Sequence, residues 1–202
     1  MPSIFEIDSK IRQITAEHVE SRPFLCSGSP IGCAVAEIGI NPGTPTPFWP
    51  HWSAATGFDK SGWLADYLSR HGKFGPTRRN IDLFAESLYP VRCIELNLYD
   101  RFSPRAADLP RDLKRTEVLD YMLEAVQPRL VLVHGDDPAN YLSQALGARL
   151  TKDCFSSVRY RGIELDVFQA KSHFMKVSKD YVRQLASAFV LRTQAGAERR
   201  AD

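Results

Sequence analysis

The sequence lacks long apolar runs and has little net charge, and each absence excludes a class of protein. Among its 202 residues, no run is long and apolar enough to span a membrane, so no membrane partner is expected. The net charge is only +2, so any binding to nucleic acid must come from a local basic face. The N-terminal stretch carries Glu6 and Asp8 and has no apolar core, unlike a secretory signal. We therefore expect a cytoplasmic protein of a single domain, residues 1–202, with reduced thiols.

Cysteine is also scarce, and its spacing disfavours a metal centre. The four cysteines form no C-x-x-C pair, so neither a metal nor an iron–sulfur cluster is expected: Cys26, Cys33, Cys93 and Cys154. The sequence also contains no P-loop and no G-x-G-x-x-G motif, which removes the common nucleotide-phosphate sites. The expected cofactor content is none.

Apolar periodicity predicts alternating strands and helices. The predicted helices cover residues 9–21 with Ser9 as N-cap, then 61–71, 80–88, 112–126, 138–146 and 178–192. The predicted strands cover residues 33–39, 92–98, 129–134 and 163–169, the last preceded by a short hairpin partner at 158–161 and able to extend to 173. This order predicts an α/β fold of three αβα layers around a mainly parallel, four-stranded sheet, with a core at 30–192 and a disordered tail at 193–202.

A long loop, residues 44–59, follows the first predicted strand. Loops of this length inside a domain are usually functional or disordered. This one contains Phe48, Trp49, Trp52 and Phe58, too many aromatic residues for disorder. The composition therefore predicts an ordered, functional loop.

The most informative stretch is Gly39-Ile40-Asn41-Pro42-Gly43, directly after the first predicted strand. The glycines allow backbone to approach a ligand and the proline stiffens the turn. In an α/β sheet, ligands bind at this carboxyl edge of the strands. The stretch therefore predicts a site there, with Asn41 as its polar side chain.

Two more polar residues end predicted strands at the same edge. Asn97 closes the second strand, and its amide offers a donor beside an acceptor, which suits a pyrimidine edge. His173 ends the last strand-like run, where a neutral imidazole can donate a hydrogen bond to charge on a leaving group. We expect Asn41, Asn97 and His173 to converge on one pocket.

Each of these residues also has a simpler interpretation. Asn41 can serve only the turn, Asn97 can terminate a strand, and His173 can lack any partner of note. His134 and Asp137 form a further candidate pair, as in a small-molecule hydrolase, although Asp136 or Asp137 as a helix N-cap is preferred. No G-x-S-x-G elbow accompanies that pair.

These motifs resemble the uracil-DNA glycosylase superfamily over roughly residues 30 to 190. The pentapeptide from Gly39 to Gly43 resembles the first motif of the mismatch-specific and single-strand-selective monofunctional branches. Asn97 matches the strand-borne asparagine that reads the base, and His173 matches the histidine of the last motif. The resemblance implies a glycosylase that excises uracil or a related deaminated base from DNA during base excision repair, acting as a monomer.

The resemblance also implies roles for individual residues. Asn41 would orient the attacking water and His173 would stabilise the departing base, while Asn97 reads its edge. The pentapeptide residues Gly39, Ile40, Pro42 and Gly43 would contact substrate. Phe58, or alternatively Phe48, would stack on the flipped base.

The last motif departs from the family, because His173 is followed by Phe174-Met175-Lys176 where the family has proline and serine. Phe174 or Met175 could act as a wedge in the minor groove. The expected contacts to the DNA backbone come from nearby basic residues, which otherwise serve as solvated surface charges: Arg101, Arg105, Lys171 and Lys176. The departure keeps open a protein that binds nucleic acid or a nucleotide without cleaving it.

Overall fold

The computed structural model describes the backbone of residues 1–198 and the side chains of residues 1–195. The helices are α1 Ile4–Thr15, α2 Lys60–His71, α3 Pro76–Ser87, α4 Glu117–Val126, α5 Asp136–Leu146 and α6 Lys179–Glu198. The strands are β1 Val35–Gly39, β2 Trp52–Ser53, β3 Gly57–Phe58, β4 Cys93–Asn97, β5 Leu130–Val133, β6 Phe155–Tyr160 and β7 Ile163–Gln169. Single 3₁₀ turns cover Trp49–His51, Ala106–Asp108, Arg111–Leu113 and Phe174–Lys176.

The central sheet has five strands in the order β4-β1-β5-β7-β6, not the predicted four. The first four are parallel, and β6 runs antiparallel beside β7. β6 and β7 are the predicted hairpin, with β6 longer than expected and β7 ending at Gln169. The predicted strand count was too low because the hairpin partner at 158–161 was not counted in the sheet. Polar residues along β6 are typical of an edge strand with one solvated face.

Helices cover both faces of the sheet, which makes three layers. One apolar cluster joins β1 and β5 to α3 and α6, through side chains such as Leu132, Phe84 and Phe189. The other face packs on α1, α4 and α5, through Ile38, Met122 and Leu142 among others. Strands β1 and β5 are buried on both faces, which explains their continuous apolar runs.

Several predicted helix boundaries are wrong. Helices α3 and α4 begin at Pro76 and Glu117 instead of at residues 80 and 112. Helix α1 begins after Ser3, whose side chain accepts from the Glu6 N–H while Glu6 reaches back to Ser3. This capping box satisfies the free N–H groups, so Ser9 lies within the helix instead of at its start. Helix α6 continues to Glu198, so residues 193–198 of the predicted tail are helical. Residues 199–202 of that tail lie outside the described residues.

The aromatic loop is ordered by a small hairpin of β2 and β3. Gly57 has a φ of +83°, and a Cβ there would lie 2.2 Å from the Gly28 carbonyl carbon. This close approach lets Phe58 exchange two backbone hydrogen bonds with Gly28, at 2.8 and 2.9 Å. The hairpin therefore turns Phe58 inward, into the apolar cluster that contains Ile38 and Met122.

A buried ion network lies beneath the carboxyl edge of the sheet. The Arg78 guanidinium donates to both oxygens of Glu95, at 2.6 and 2.8 Å, and Lys60 Nζ donates to one of them at 2.6 Å. Arg78 also donates to both oxygens of Asp82. Burial opposes ionisation of Glu95, but Arg78 and Lys60 outweigh it and lower its pKa to about 2.

We predict that Glu95→Gln lowers the free energy of unfolding by about 3 kcal/mol at pH 7, because Arg78 loses a buried partner. Urea unfolding measures this change, with the exposed Glu164→Gln as a control that shifts it by less than about 0.5 kcal/mol. The Glu95 pKa is lower in the folded state, so its contribution is present above pH 4.5 and lost between pH 4.5 and 2. An equal effect of the two substitutions at pH 7 would contradict the prediction.

Candidate functional site

A cavity of about 380 Å³ opens at the carboxyl edge of β1, β4 and β5. It is lined by most of the predicted site, namely Gly39, Ile40, Asn41, Gly43, Asn97, His173 and Met175. Parallel strands place their carboxyl ends at one edge, which is why residues far apart in sequence meet there. The predicted convergence of Asn41, Asn97 and His173 is therefore seen in the structure.

The side-chain amide of Asn41 has a fixed orientation. Its Nδ2 group donates to the carbonyl oxygens of Pro42, at 3.0 Å, and Ser103, at 2.8 Å. Two carbonyl acceptors require the NH₂ group at that position, so Oδ1 is the atom left without a partner among the described residues. Ser103 also donates its N–H to Pro42, which ties the loop after β1 to the loop after β4. Pro42 itself is buried and does not line the cavity.

Asn97 lies beside Gly39 in the register of β4 and β1. A Cβ on Gly39 would lie 3.4 Å from Asn97 Oδ1 and 3.3 Å from the His134 ring. A side chain at this position would therefore crowd both polar side chains at the end of β1. No described residue hydrogen-bonds the Asn97 amide, so its donor and acceptor are available to a ligand.

His173 is held as a neutral imidazole with a free donor. Its Nδ1 accepts from the Met175 N–H at 3.1 Å, as the N-cap of the 3₁₀ turn Phe174–Lys176. Burial and the neighbouring His134 and Lys176 lower the pKa of His173 to about 4. Because Nδ1 accepts, the single proton of the neutral ring is on Nε2.

His134 has a different partner from the predicted one. Its Nε2 contacts Oε1 of Glu37, and both residues are 1% exposed. Asp137 is exposed in the first turn of α5, and the N-cap position is Gly135, without a side-chain cap. The structure therefore supports neither the His134–Asp137 hydrolase pair nor an aspartate N-cap.

Phe48 and Phe58 are not brought to the cavity, contrary to the stacking role expected for them. Their rings stack on each other at 5.0 Å and pack edge-on against Phe24, with exposures of 0% and 2%. The hairpin of β2 and β3 buries both rings in the core. The aromatic side chain that does line the cavity, besides the two histidines, is Tyr67 of α2.

Two of the expected DNA contacts are also wrong. Phe174 is fully buried and stacks on the His134 ring at 4.6 Å, so it cannot act as a wedge. Arg101 is half-buried and donates to the Thr15 carbonyl, where it holds the end of α1. A side chain engaged inside the fold is not available to a phosphate.

The other expected contacts are exposed. Met175 is 54% exposed at the cavity, and Lys176 follows it. Lys171 lies over the Tyr181 ring at 4.2 Å, and Arg105 is paired with Asp108. Met175 and Lys176 therefore form the exposed rim next to His173.

Sequence reasoning missed the charged inner part of the cavity. Its lining includes Arg22, Glu37, Arg78 and Glu95. A signal was present, because Glu37 and Glu95 interrupt otherwise apolar strands, each two residues before the strand ends. Nothing local marks Arg22 or Arg78, which reach the cavity only through the tertiary fold.

Within the described residues, no cluster of three or more histidine, cysteine, aspartate or glutamate side chains could hold a metal ion. The described helices include none with the length and hydropathy needed to cross a membrane. A scan against protein-family models and a search of curated proteins find no match to this chain.

We predict that the His173 ring titrates with a midpoint near pH 4, because burial makes the charged imidazolium unfavourable and so lowers the pKa. Ring resonances followed by NMR from pH 8 to 3.5 measure it, assigned with His173→Gln. A His173 midpoint near the ordinary imidazole value of about 6.5 would show that the ring is not held neutral.

Proposed function

We propose that this chain is a monofunctional DNA glycosylase of the uracil-DNA glycosylase superfamily. Its substrate would be uracil or a related deaminated base in DNA, hydrolysed at the N-glycosidic bond. The observation that carries the proposal is the joint placement of Asn41, Asn97 and His173 around one cavity, each with an unpartnered polar atom. DNA is the proposed partner, the protein acts as a monomer, and the four free cysteines favour the cytoplasm as its compartment.

The proposed attack on the sugar uses Asn41. A water must be held beneath the sugar carbon while the bond to the base breaks. Asn41 Oδ1 is left free by the two bonds of Nδ2, so it can accept from that water and orient it. An amide is a weak base, so Asn41 contributes positioning more than proton abstraction.

The departure of the base uses His173. As the bond breaks, negative charge develops on a carbonyl oxygen of the ring. A neutral imidazole with its proton on Nε2 can donate a hydrogen bond to that oxygen without giving up the proton. One donor aimed at developing charge contributes on the order of 3 kcal/mol to the transition state. Asn97 would hold the edge of the ring, and Tyr67 replaces Phe48 and Phe58 as the aromatic wall.

We predict that Asn41→Ala and His173→Ala each lower the single-turnover rate of base excision by about tenfold or more. The assay uses single- and double-stranded oligonucleotides containing uracil, hypoxanthine or xanthine, followed by alkali to break abasic sites. Because the proposed steps need no metal, a chelator is present throughout.

The matched controls for that assay are Asn140→Ala and His18→Ala, since both residues are exposed and neither lines the cavity. Both are expected to excise at the wild-type rate. Wild-type rates in Asn41→Ala and His173→Ala would remove the support for a glycosylase.

We predict a salt-dependent affinity for DNA, because the exposed rim beside His173 carries Lys176. The logarithm of affinity should fall linearly with the logarithm of salt concentration, and Lys176→Gln should reduce the slope by about one. Fluorescence anisotropy measures this. Lys10→Gln is the control, as an exposed lysine of α1 that does not line the cavity. A flat salt response would count against DNA as the ligand.

The second candidate function is binding of nucleic acid or a nucleotide without cleavage. It is favoured by the burial of Phe48, Phe58 and Phe174, which removes both the expected stacking ring and one expected wedge. In the oligonucleotide assay this candidate predicts binding without strand breaks at any modified base.

A further inference from the structure

The cavity continues inward by one more row of side chains. Glu37 and Glu95 lie two residues before Gly39 and Asn97, on the same face of β1 and β4. Two residues of a strand span about 7 Å, so the carboxylates lie about that far below the carboxyl edge. The same cavity is lined by both rows, which gives it a polar inner end as well as a polar mouth.

Most charges at this inner end already have partners. Glu95 accepts from Arg78 and Lys60, and Asp82 accepts from Arg78 and contacts Lys60 at 3.2 Å. These two cations and two anions balance one another. They therefore leave no strong binding capacity for a ligand.

Arg22 is the cation that lacks such a partner. Its Nε is buried without a hydrogen-bond partner, and no described residue bonds its Nη groups. The guanidinium lies 5.5 Å from the centre of the Trp63 ring, which leaves its donors unused. Burial and the nearby Arg78 lower the pKa of Arg22 to about 10, so it remains charged at neutral pH.

Glu37 is the anion in the same condition. Its Oε1 contacts His134 Nε2, but the contact lacks hydrogen-bond geometry and both atoms remain unsatisfied. A carboxylate that is 1% exposed and not hydrogen-bonded is costly to bury. A ligand that supplies a donor to Glu37 and an acceptor to Arg22 would remove both costs.

We infer that Arg22 and Glu37 form an inner subsite for a neutral heterocycle edge on which a carbonyl oxygen adjoins a ring N–H. Arg22 donates to the carbonyl oxygen, and Glu37 accepts from the N–H. A phosphate or carboxylate is disfavoured because Glu37 would repel it, and a cation is disfavoured because Arg22 would repel it. The neutral edge is the chemistry that satisfies both groups together.

This inference names the base edge read by the proposed glycosylase, and for its biological role it rests on the proposed function. Asn97 contacts the base near the mouth of the cavity, while Arg22 and Glu37 read the far edge. Uracil and hypoxanthine both carry such an edge. In a nucleoside the sugar occupies N1 of uracil or N9 of hypoxanthine, so methylation of uracil N3 or hypoxanthine N1 keeps the carbonyl but removes the N–H.

The test is binding of deoxynucleosides, measured by titration calorimetry on the intact chain. Wild-type protein should bind deoxyuridine at least about tenfold more tightly than 3-methyldeoxyuridine, and deoxyinosine likewise over 1-methyldeoxyinosine. Inorganic phosphate should bind more weakly than either unmodified nucleoside. Equal affinity for methylated and unmodified nucleosides, or tighter binding of phosphate, would overturn the inference without any variant.

Variants assign the preference to its residues. Glu37→Gln should reduce the tenfold preference for the unmodified base to about threefold or less, and Arg22→Met should weaken binding of both deoxyuridine and 3-methyldeoxyuridine by about tenfold. Circular dichroism checks that each variant folds. Glu164→Gln and Arg159→Met are the controls, because these exposed residues pair with each other on the hairpin of β6 and β7. A preference that survives Glu37→Gln would exclude Glu37 as the reader.

The two proposals fail in different ways. Nucleosides bound with the expected preference, without cleavage of any oligonucleotide, would support the inner subsite and contradict the glycosylase. Excision of uracil by a protein that binds 3-methyldeoxyuridine as tightly as deoxyuridine would do the reverse.

Discussion

The register between β1 and β4 is the constraint on which the site depends. It pairs Gly39 with Asn97 at the edge of the sheet and Glu37 with Glu95 one row deeper. The absence of a side chain at Gly39 makes room for the polar groups of the mouth. Glu95 accepts hydrogen bonds in the deeper row from two cations of other elements, Arg78 and Lys60. One alignment of two strands therefore produces both the polar mouth and the charged inner end of the cavity.

The site is held in place by bonds that leave its reactive atoms free. Asn41 is fixed through Nδ2 and His173 through Nδ1, so Oδ1 and the Nε2 proton keep their directions without a ligand. Groups arranged in advance do not need to reorganise when charge develops, which is the main source of electrostatic catalysis. The buried ion network under the same edge adds stiffness, because breaking it exposes an unpaired charge. The ion network and the site thus lie at the same edge of the sheet but use different residues.

Much of the fold was predictable because its elements carry strong local patterns. Buried parallel strands have continuous apolar runs, and the helices have one apolar face, so their order and type follow from sequence. Errors occurred where the local pattern is weak. β6 alternates polar and apolar residues at an edge, and the capping box at Ser3 moved the start of α1. The positions of side chains were the least predictable. Phe58, Phe174 and Arg101 were expected to contact the base or the DNA, but they are held inside the fold.

The sequence by itself determined which residues end or closely follow the parallel strands, and therefore that Asn41, Asn97 and His173 meet at one edge, although β1 ends at Gly39 and β7 at Gln169. That result needs only strand order, because parallel strands share a carboxyl edge. Only the tertiary structure decided which buried charges are satisfied. Glu95 accepts hydrogen bonds from Arg78 and Lys60, whereas Arg22 and Glu37 keep unused hydrogen-bonding groups. Pairing between charges distant in sequence depends on distances that no local pattern encodes, so the inner end of the cavity became visible only in three dimensions.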